Sequence, residues 1–358
     1  MIYRLAGQYK TTYASDQAIF PIVQDRVVVI LALLAAFVVP PLLADEYWLQ
    51  AILIPLLVYS LAAMGLNLLT GYAGQLSLGT GGFMAVGAYA AFKLTTAWPG
   101  LNILVVFLLA GLVAAGVGLL FGIPSLRIKG FYLAVATLAA QFFLVWLFNK
   151  VGWFVNYAPS GTITAPPRTV LGVMVTGPEA TAGARYVVAL AVVTVLGLAA
   201  KNLARGRVGR SWMAIRDRDI AAEIIGVRPL RTKLLAFGIS SFYCGVAGAE
   251  LVFLYLGSAE TLAFDVSLSF LVLFMVIIGG LGSILGSWLG AAFIVLVPIF
   301  LTNAPGLVGL DLPVALQKHI ELMVFGGLII FFLIVEPHGL ARLWQITKEK
   351  LRLWPFPH

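Results

Sequence analysis

Charge is scarce in this chain. Asp, Glu, Lys and Arg make up 11% of its 358 residues, and 61% are hydrophobic. A soluble domain carries about 25% charged residues, so a water-soluble fold is excluded and a polytopic membrane protein is indicated. Cysteine is nearly absent: Cys244 stands alone, which excludes an intrachain disulfide framework and reads as a small buried hydrophobe. The three histidines show no metal-ligand spacing. His319 and His338 bracket the last apolar segment and His358 is terminal, so none is assigned to chemistry. No convergent set of acids or histidines points to catalysis. The chain also lacks G-x-x-x-x-G-K-[ST] and any Gly-rich loop joining a strand to a helix, so ATP hydrolysis is not expected on this polypeptide. No polar block is long enough to fold by itself, which implies one integrated domain. The net charge of +8 does not point to nucleic acid, because the basic residues cluster in loops between apolar runs.

What is abundant is apolar sequence of membrane length. Ten segments read as membrane helices: Val27–Leu43, Trp48–Leu69, Leu76–Thr95, Leu101–Gly122, Phe131–Phe148, Tyr186–Leu203, Thr232–Leu256, Val266–Gly280, Leu285–Leu301 and Ile320–Val335. The expected fold is an all-α, polytopic transmembrane helical bundle of about ten helices, with counts of eight to ten possible. The eighth and ninth segments are short and are candidates for one interrupted hairpin around Gly279, Gly280, Gly282 and Gly286. Residues 1–26 hold Arg4, Lys10, Asp16, Asp25 and Arg26 without an apolar core, so they read as an N-terminal segment rather than a signal peptide. Residues 27–336 form the transmembrane domain, with a polar loop at 204–231, and 337–358 form a tail.

Basic residues set the orientation. Arg127 and Lys129, the loop from Lys201 to Lys233, and Arg342, Lys348, Lys350 and Arg352 of the tail belong inside. Ten crossings then place both termini in the cytoplasm. The outer side receives Asp45, Glu46, the loop 302–318 and the proline-rich loop Lys150–Arg185, which is expected to hold little regular structure. Trp48, Trp98, Trp153 and Trp344 read as interfacial anchors.

The run Gly65–Phe92 is unlike a plain membrane anchor. Asn67, Gly71, Gly74, Gln75, Ser77, Gly79 and Thr80 crowd it with small and polar groups. Glycine lets backbones approach or leave helical geometry, and polar side chains in hydrocarbon need partners. A packed or partly broken helix pair lining a path is expected, with helix packing alone as the competing reading. Glu250, in the seventh segment, either faces that path or reaches the outer interface or another helix. The glycine spacings Gly111–Gly116 and Gly282–Gly286 are read as tight crossings.

The stretch Arg205–Val227 is far too polar to span. One helix is expected over Ser211–Ile225, capped by Ser211, ended by Gly226 and Pro229, with Met213, Ile220 and Ile224 on one face. Its alternating charges favour docking into a protein groove over lying on lipid or in solvent.

Three patterns in order carry a resemblance: GLNLLTGYAGQLSLG with GAYAA, then RxxxAIRDxDxAAExxGV, then VIIGGLGSxxGxxLGAA. From about Trp48 to Val335 the chain resembles the inner-membrane permease subunit of branched-chain (hydrophobic) amino acid ATP-binding-cassette importers. The resemblance implies that Ala214–Val227 meets an ATPase subunit, with Ala221, Ala222, Glu223 and Gly226 on the family's positions. Arg210, Met213, Asp217, Ile220 and Ile224 complete the expected coupling surface. It also implies a paralogous permease subunit, two cytoplasmic ATPase subunits carrying ATP and Mg, and a periplasmic solute-binding protein. No cofactor is expected on this chain, and its place is the bacterial inner membrane. Thr80, Ala259 and Ser287 stand where the family pattern has His, Pro and Pro. Those positions fall on the path and its outer mouth, so urea, amides or aromatic acids remain alternative solutes. A stand-alone secondary transporter or channel is the other alternative, disfavoured by the few ionisable residues at mid-membrane.

Overall fold

A computed structural model of the chain describes residues 9, 11–12, 23–125, 132–307, 314–335 and 339–353. In hydrocarbon each segment must satisfy its own backbone, so long apolar runs become helices. In chain order these are α1 (Val23–Leu43), α2 (Ile54–Asn67), α3 (Thr80–Ala97), α4 (Ile103–Ser125), α5 (Tyr132–Lys150) and α6 (Ala182–Arg205). Two short helices follow, α7 (Arg207–Asp217) and α8 (Asp219–Ile224). Then come α9 (Pro229–Glu250), α10 (Val266–Gly279), α11 (Ile284–Leu307), α12 (Val314–Val335) and α13 (Leu340–Leu353). Each of the ten expected membrane segments falls on one helix, α1–α6 and α9–α12. Among the described residues, 8 helices are both long and apolar enough to cross a membrane. The other two segments are α3, which carries Lys93 and three threonines, and α12, whose apolar part is Met323–Phe332. The Arg127–Lys129 loop, His338, His358 and most of the N-terminal segment lie outside the described residues.

Two helices form the centre. Trp48–Tyr72, which is α2 with a π-helical turn at each end, has 83% of its apolar window buried. Pro229–Leu256, which is α9 with a π-helical continuation, has 78%. By contrast, 0% of the α1 window is buried. Val28, Leu31, Leu34 and Leu42 of α1 point outward, as a lipid-facing helix requires.

Glycine sets the closest crossings. A Cβ on Gly87 of α3 would land on the backbone of Gly245 in α9, and a Cβ on Gly248 would land on the backbone of Met84. The expected Gly111–Gly116 crossing is only half present: Gly111 faces Phe242 and Val246, whereas Gly116 has open space. Gly282 likewise lies in no helix–helix crossing, although Gly71 packs closely on it. It lies with Gly280 in the turn between α10 and α11, at φ values of 75° and 117° that favour glycine. The crossing there pairs Gly279 with Gly286 and Gly290. The eighth and ninth segments thus form a hairpin of two helices, interrupted by a tight turn at the expected glycines.

The loop Lys150–Arg185 holds more regular structure than its prolines suggest. A 3-10 turn spans Gly152–Val155, and β2 (Arg168–Val170) forms a hairpin with β3 (Val173–Thr176) through a positive-φ turn at Leu171 and Gly172. β1 (Ile163–Thr164) pairs antiparallel with β4 (Ser258–Ala259), which follows α9. Arg168 donates to the Thr95 carbonyl, and Lys93 sits 4.1 Å over the Trp153 ring. The loop is therefore fastened to the end of α3. Trp48, Trp98, Trp153 and Trp344 all stay about half exposed.

Candidate functional site

The polar run opens into an irregular strap. The second spanning helix ends in a π-helical turn, Leu68–Tyr72, and the chain is then non-helical until Thr80. The expected helix start at Leu76 is therefore corrected to Thr80. Irregular backbone inside a membrane protein must bond to protein, and the strap does. Gln75 N–H donates to Leu69 O at 3.0 Å, and Thr70 Oγ1 donates to Gln75 O at 3.2 Å. Leu78 N–H reaches Thr137 Oγ1 at 2.9 Å.

α3 consequently begins beside the middle of α5. Gly82 N–H donates to Gln141 Oε1, and Gly81 N–H to Ser269 Oγ at 2.8 Å. Gln141 Nε2 donates to Phe264 O at 2.7 Å, beside the start of α10. The starts of α3 and α10 thus meet inside the bundle, with Gln141 bridging them. Neither residue pair is near in sequence, so the spacing of the run alone does not reveal it.

The proposed path residues divide into two groups. Asn67, Gly71, Gln75, Ser77, Gly79 and Thr80 are buried within this chain, and Gly74 is exposed. Asn67 is a fastener. Its Nδ2 donates to Ser283 O at 2.8 Å, Ser287 Oγ at 2.9 Å and Gly280 O at 3.3 Å, while Oδ1 accepts from Gly282 N at 2.8 Å. Gln75 and Glu250 differ. Gln75 is 4% exposed and Glu250 0%, and among the described residues neither side chain has a hydrogen-bond partner.

Among the described residues Glu250 therefore neither reaches the outer interface nor bonds to another helix, the two packing roles expected for it. It sits seven residues, nearly two turns, beyond Tyr243, whose hydroxyl donates to Leu196 O at 2.8 Å. Both thus share the α9 face turned toward α2 and α6. Replacing Glu250 with Leu is expected to stabilise the chain by about 1–3 kcal/mol, the cost of a buried unpaired polar group. A raised thermal midpoint in detergent checks this. Uptake by Glu250→Gln supplies the second reading: wild-type uptake removes the residue from the solute path.

The polar loop is two helices rather than one. α7 starts at Arg207 behind an extended Gly206, and Ser211 is no cap, since its hydroxyl donates to Arg207 O at 3.0 Å. The chain leaves helical geometry at Arg218, where φ is −155° and ψ 104°. Asp219 reopens it as α8, where a carboxylate suits the free N–H groups of a helix start. Lys233 of α9 holds Asp219 at 2.6 Å. The break also separates the apolar face expected for one helix. Met213 and Ala214 are half-buried, whereas Ile220, Ile224 and Ile225 are 77%, 81% and 76% exposed. Ala222 is buried; Arg210, Asp217, Ala221, Glu223 and Gly226 are exposed. Gly226, at φ 91°, ends α8, with Val227 N–H returning to Ala222 O at 3.0 Å. This left-handed cap needs glycine.

Two residues outside the expected coupling set bolt this loop to the bundle. Trp212 is 0% exposed and its Nε1 donates to Thr232 O at 3.1 Å. Arg216 Nη1 donates to Gly71 O at 2.8 Å, and a Cβ on Gly74 would meet Arg216 Cγ at 2.8 Å. Gly71 in turn packs on Gly282, which Asn67 holds. Arg216, Gly71, Asn67 and Gly282 thus join the polar loop, the strap and the α10–α11 turn. Their signal in sequence is only that arginine and asparagine stand inside motif patterns. Asn67→Leu removes the acceptor of the Gly282 N–H and is expected to cost about 1–3 kcal/mol. Thermal unfolding in detergent, with Asn149→Leu as the exposed control, measures it.

Residues 49–333 match the family described as branched-chain amino acid transport system / permease component. One relative is the high-affinity branched-chain amino acid transport system permease protein LivM of Salmonella typhimurium, strain LT2. It is 32% identical over 317 residues, which is 83% of this chain and 70% of that protein. The LivM protein of Escherichia coli, strain K12, is 31% identical over 317 residues with the same shares. No solved structure matches the chain. The strap, the two-helix loop and the α10–α11 turn all lie inside the matched residues, and the chain belongs to the branched-chain amino acid transport system permease family.

Proposed function

We propose that this chain is the membrane-spanning permease subunit of an ATP-binding-cassette importer in a bacterial inner membrane. It pairs with a paralogous permease, receives a branched-chain or other hydrophobic amino acid from a periplasmic binding protein, and is driven by two ATPase chains that carry ATP and Mg. The observation that supports this best is the loop α7–α8. It ends in Ile220, Ile224 and Ile225, all exposed among Asp217, Arg218 and Glu223, yet its root is fixed by Trp212 and Arg216. A rigidly rooted, apolar and charge-flanked tip suits a groove in a cytoplasmic protein.

The same root gives transmission a physical route. Movement of α7 pulls on Gly71, and Gly71 leads into the strap that starts α3. Irregular segments of this kind change shape more readily than helices, which suits alternating access. An irregular, glycine-rich strap also suits a path that need not bind tightly, because the binding protein selects the solute. With α7–α8 on the cytoplasmic side, both termini are cytoplasmic as well.

Arg216→Ala tests the transmission route. A hydrogen bond to a charged group is worth about 1.5–3 kcal/mol, so coupling should fall roughly tenfold or more. ATPase subunits should still bind, because Arg216 does not form the isoleucine tip. The expected result in proteoliposomes is ATP hydrolysis retained and leucine uptake reduced roughly tenfold or more. Uptake that keeps pace with hydrolysis contradicts the route. Binding assays on the cognate periplasmic protein decide between amino acids and urea, amides or aromatic acids.

A further inference from the structure

The sequence marks the tail only as basic, but residues Leu340–Leu353 form the helix α13. The chain turns into it at Gly339, at φ 72°, where a Cβ would meet Gly280 at 2.6 Å. Ala341 is 6% exposed and Leu340 packs on the core. Further along, Lys348 pairs with Asp25 at the base of α1, at 3.2 Å. α13 is therefore held against the bundle at two points, beside α1 and beside the α10–α11 turn.

Its sequence is strongly two-sided. Leu340, Leu343, Trp344 and Thr347 recur at i, i+3, i+4 and i+7, which is one helical stripe. Leu343 nevertheless stays 43% exposed and Trp344 54%. At 3.6 residues per turn, Lys348 and Lys350 fall on opposite flanks of that stripe. The helix carries Arg342, Lys348, Lys350 and Arg352 against Glu349 alone.

We propose that α13 lies flat in the membrane interface, with Leu343 and Trp344 in the acyl region of anionic lipids and Lys350 at the phosphates. Three observations carry this. Continuity is the first: only residues 336–339 separate α13 from α12, a reach of at most about 18 Å over five steps. α12 already presents apolar surface of lipid-facing character, with Ile330 60% and Ile334 75% exposed. The second is charge: basic flanks around an apolar stripe complement an anionic leaflet. The third is contrast. The isoleucine tip of α8 has mixed charges and stands off the bundle, as a protein-docking surface does, whereas α13 has nearly one sign of charge and hugs it. The proposal rests on the permease reading only in placing α12 across a bilayer.

The test uses the full chain in nanodiscs, prepared with and without its ATPase partners. Cys244 is buried, so Leu343→Cys can carry a single spin label. In phosphatidylglycerol discs the label is expected to meet oxygen in preference to a water-soluble nickel chelate, with or without the ATPases. Its inserted-to-free ratio is expected to fall about fivefold on Lys350→Gln, from the usual contribution of one lysine near an anionic surface, and by more than that on exchange to phosphatidylcholine, which removes the attraction of every basic residue of α13. Access to the nickel chelate overturns the proposal, because the stripe then faces water. Shielding from both reagents overturns it too, because a protein chain then covers the stripe. If the cysteine variant does not assemble, the emission difference between wild type and Trp344→Phe in brominated phosphatidylglycerol discs gives the same decision. Quenching supports lipid contact, and its absence overturns it. Retention without ATPases separates this result from the fate of the coupling assignment.

Discussion

Ile220→Glu combined with Ile224→Glu is expected to abolish ATP-driven uptake while the chain remains in the membrane at wild-type level. In the isolated subunit these side chains are 77% and 81% exposed, so the fold does not depend on them. Surface changes of this kind usually alter stability by no more than about 0.5 kcal/mol. On the proposed reading, the same side chains enter an apolar groove of the ATPase subunit in the assembled importer. Truncating or charging a buried anchor there costs roughly 2 kcal/mol or more. Two such changes weaken association by about a thousandfold. Co-purification of the ATPase chains and uptake in proteoliposomes should fail together. The Trp212 and Arg216 anchors keep the loop in place, so its loss of function would reflect docking alone. Undiminished uptake would place the docking surface elsewhere.

Gly87→Leu is expected to have the largest effect on folding. The added Cβ meets the Gly245 backbone rather than a side-chain end, so no rotamer change relieves it. Gly248→Leu meets the Met84 backbone in the same way. Overpacking typically costs 1–3 kcal/mol where side chains give way, so about 3 kcal/mol or more is expected where backbone must move. The crossing lies within the first two turns and a half of α3, so the strap and the α3 start shift with it. Gly116→Leu is the matched control, since nothing lies within 4 Å of its Cβ position. Thermal unfolding monitored by size exclusion should show Gly87→Leu and Gly248→Leu far below wild type and Gly116→Leu close to it. Equal losses in all three would mean that glycine content, rather than these contacts, governs the bundle.

Apolar length was the legible part of the fold. Each of the ten expected segments coincides with a helix because backbone satisfaction in hydrocarbon leaves no other option for a long apolar run. Short-range signals also read true in places: Gly226 ends α8 through a left-handed cap that its sequence context announces. What eluded the sequence depends on contacts across the chain. Helix α3 starts at Thr80 instead of Leu76 because Thr137 and Gln141 satisfy the strap and the first N–H groups. The loop breaks at Arg218 while Arg216 is bound to Gly71, 145 positions away. Asn67, which reads as a path residue, has partners 213 to 220 positions distant, and that fixes it as a fastener. Gln75 and Glu250 are the reverse case. They read as polar groups needing partners, and among the described residues they have none. Proteins commonly break local rules at functional positions, which keeps these two as the foremost candidates on the solute path.

The isoleucine tip of α8 offers the most direct test of the central claim, that this chain is driven through α7–α8 by a separate ATPase. Cys244 is buried, so Ile224→Cys supplies a single reactive thiol in an otherwise intact subunit. A short cysteine-directed photo-crosslinker on that thiol, applied to the whole transporter in native membranes, identifies what lies against the tip. Capture of the ATPase chain, with a yield that changes on adding ATP, is the predicted result. Capture of lipid alone, or of no protein at all with or without ATP, would contradict the account.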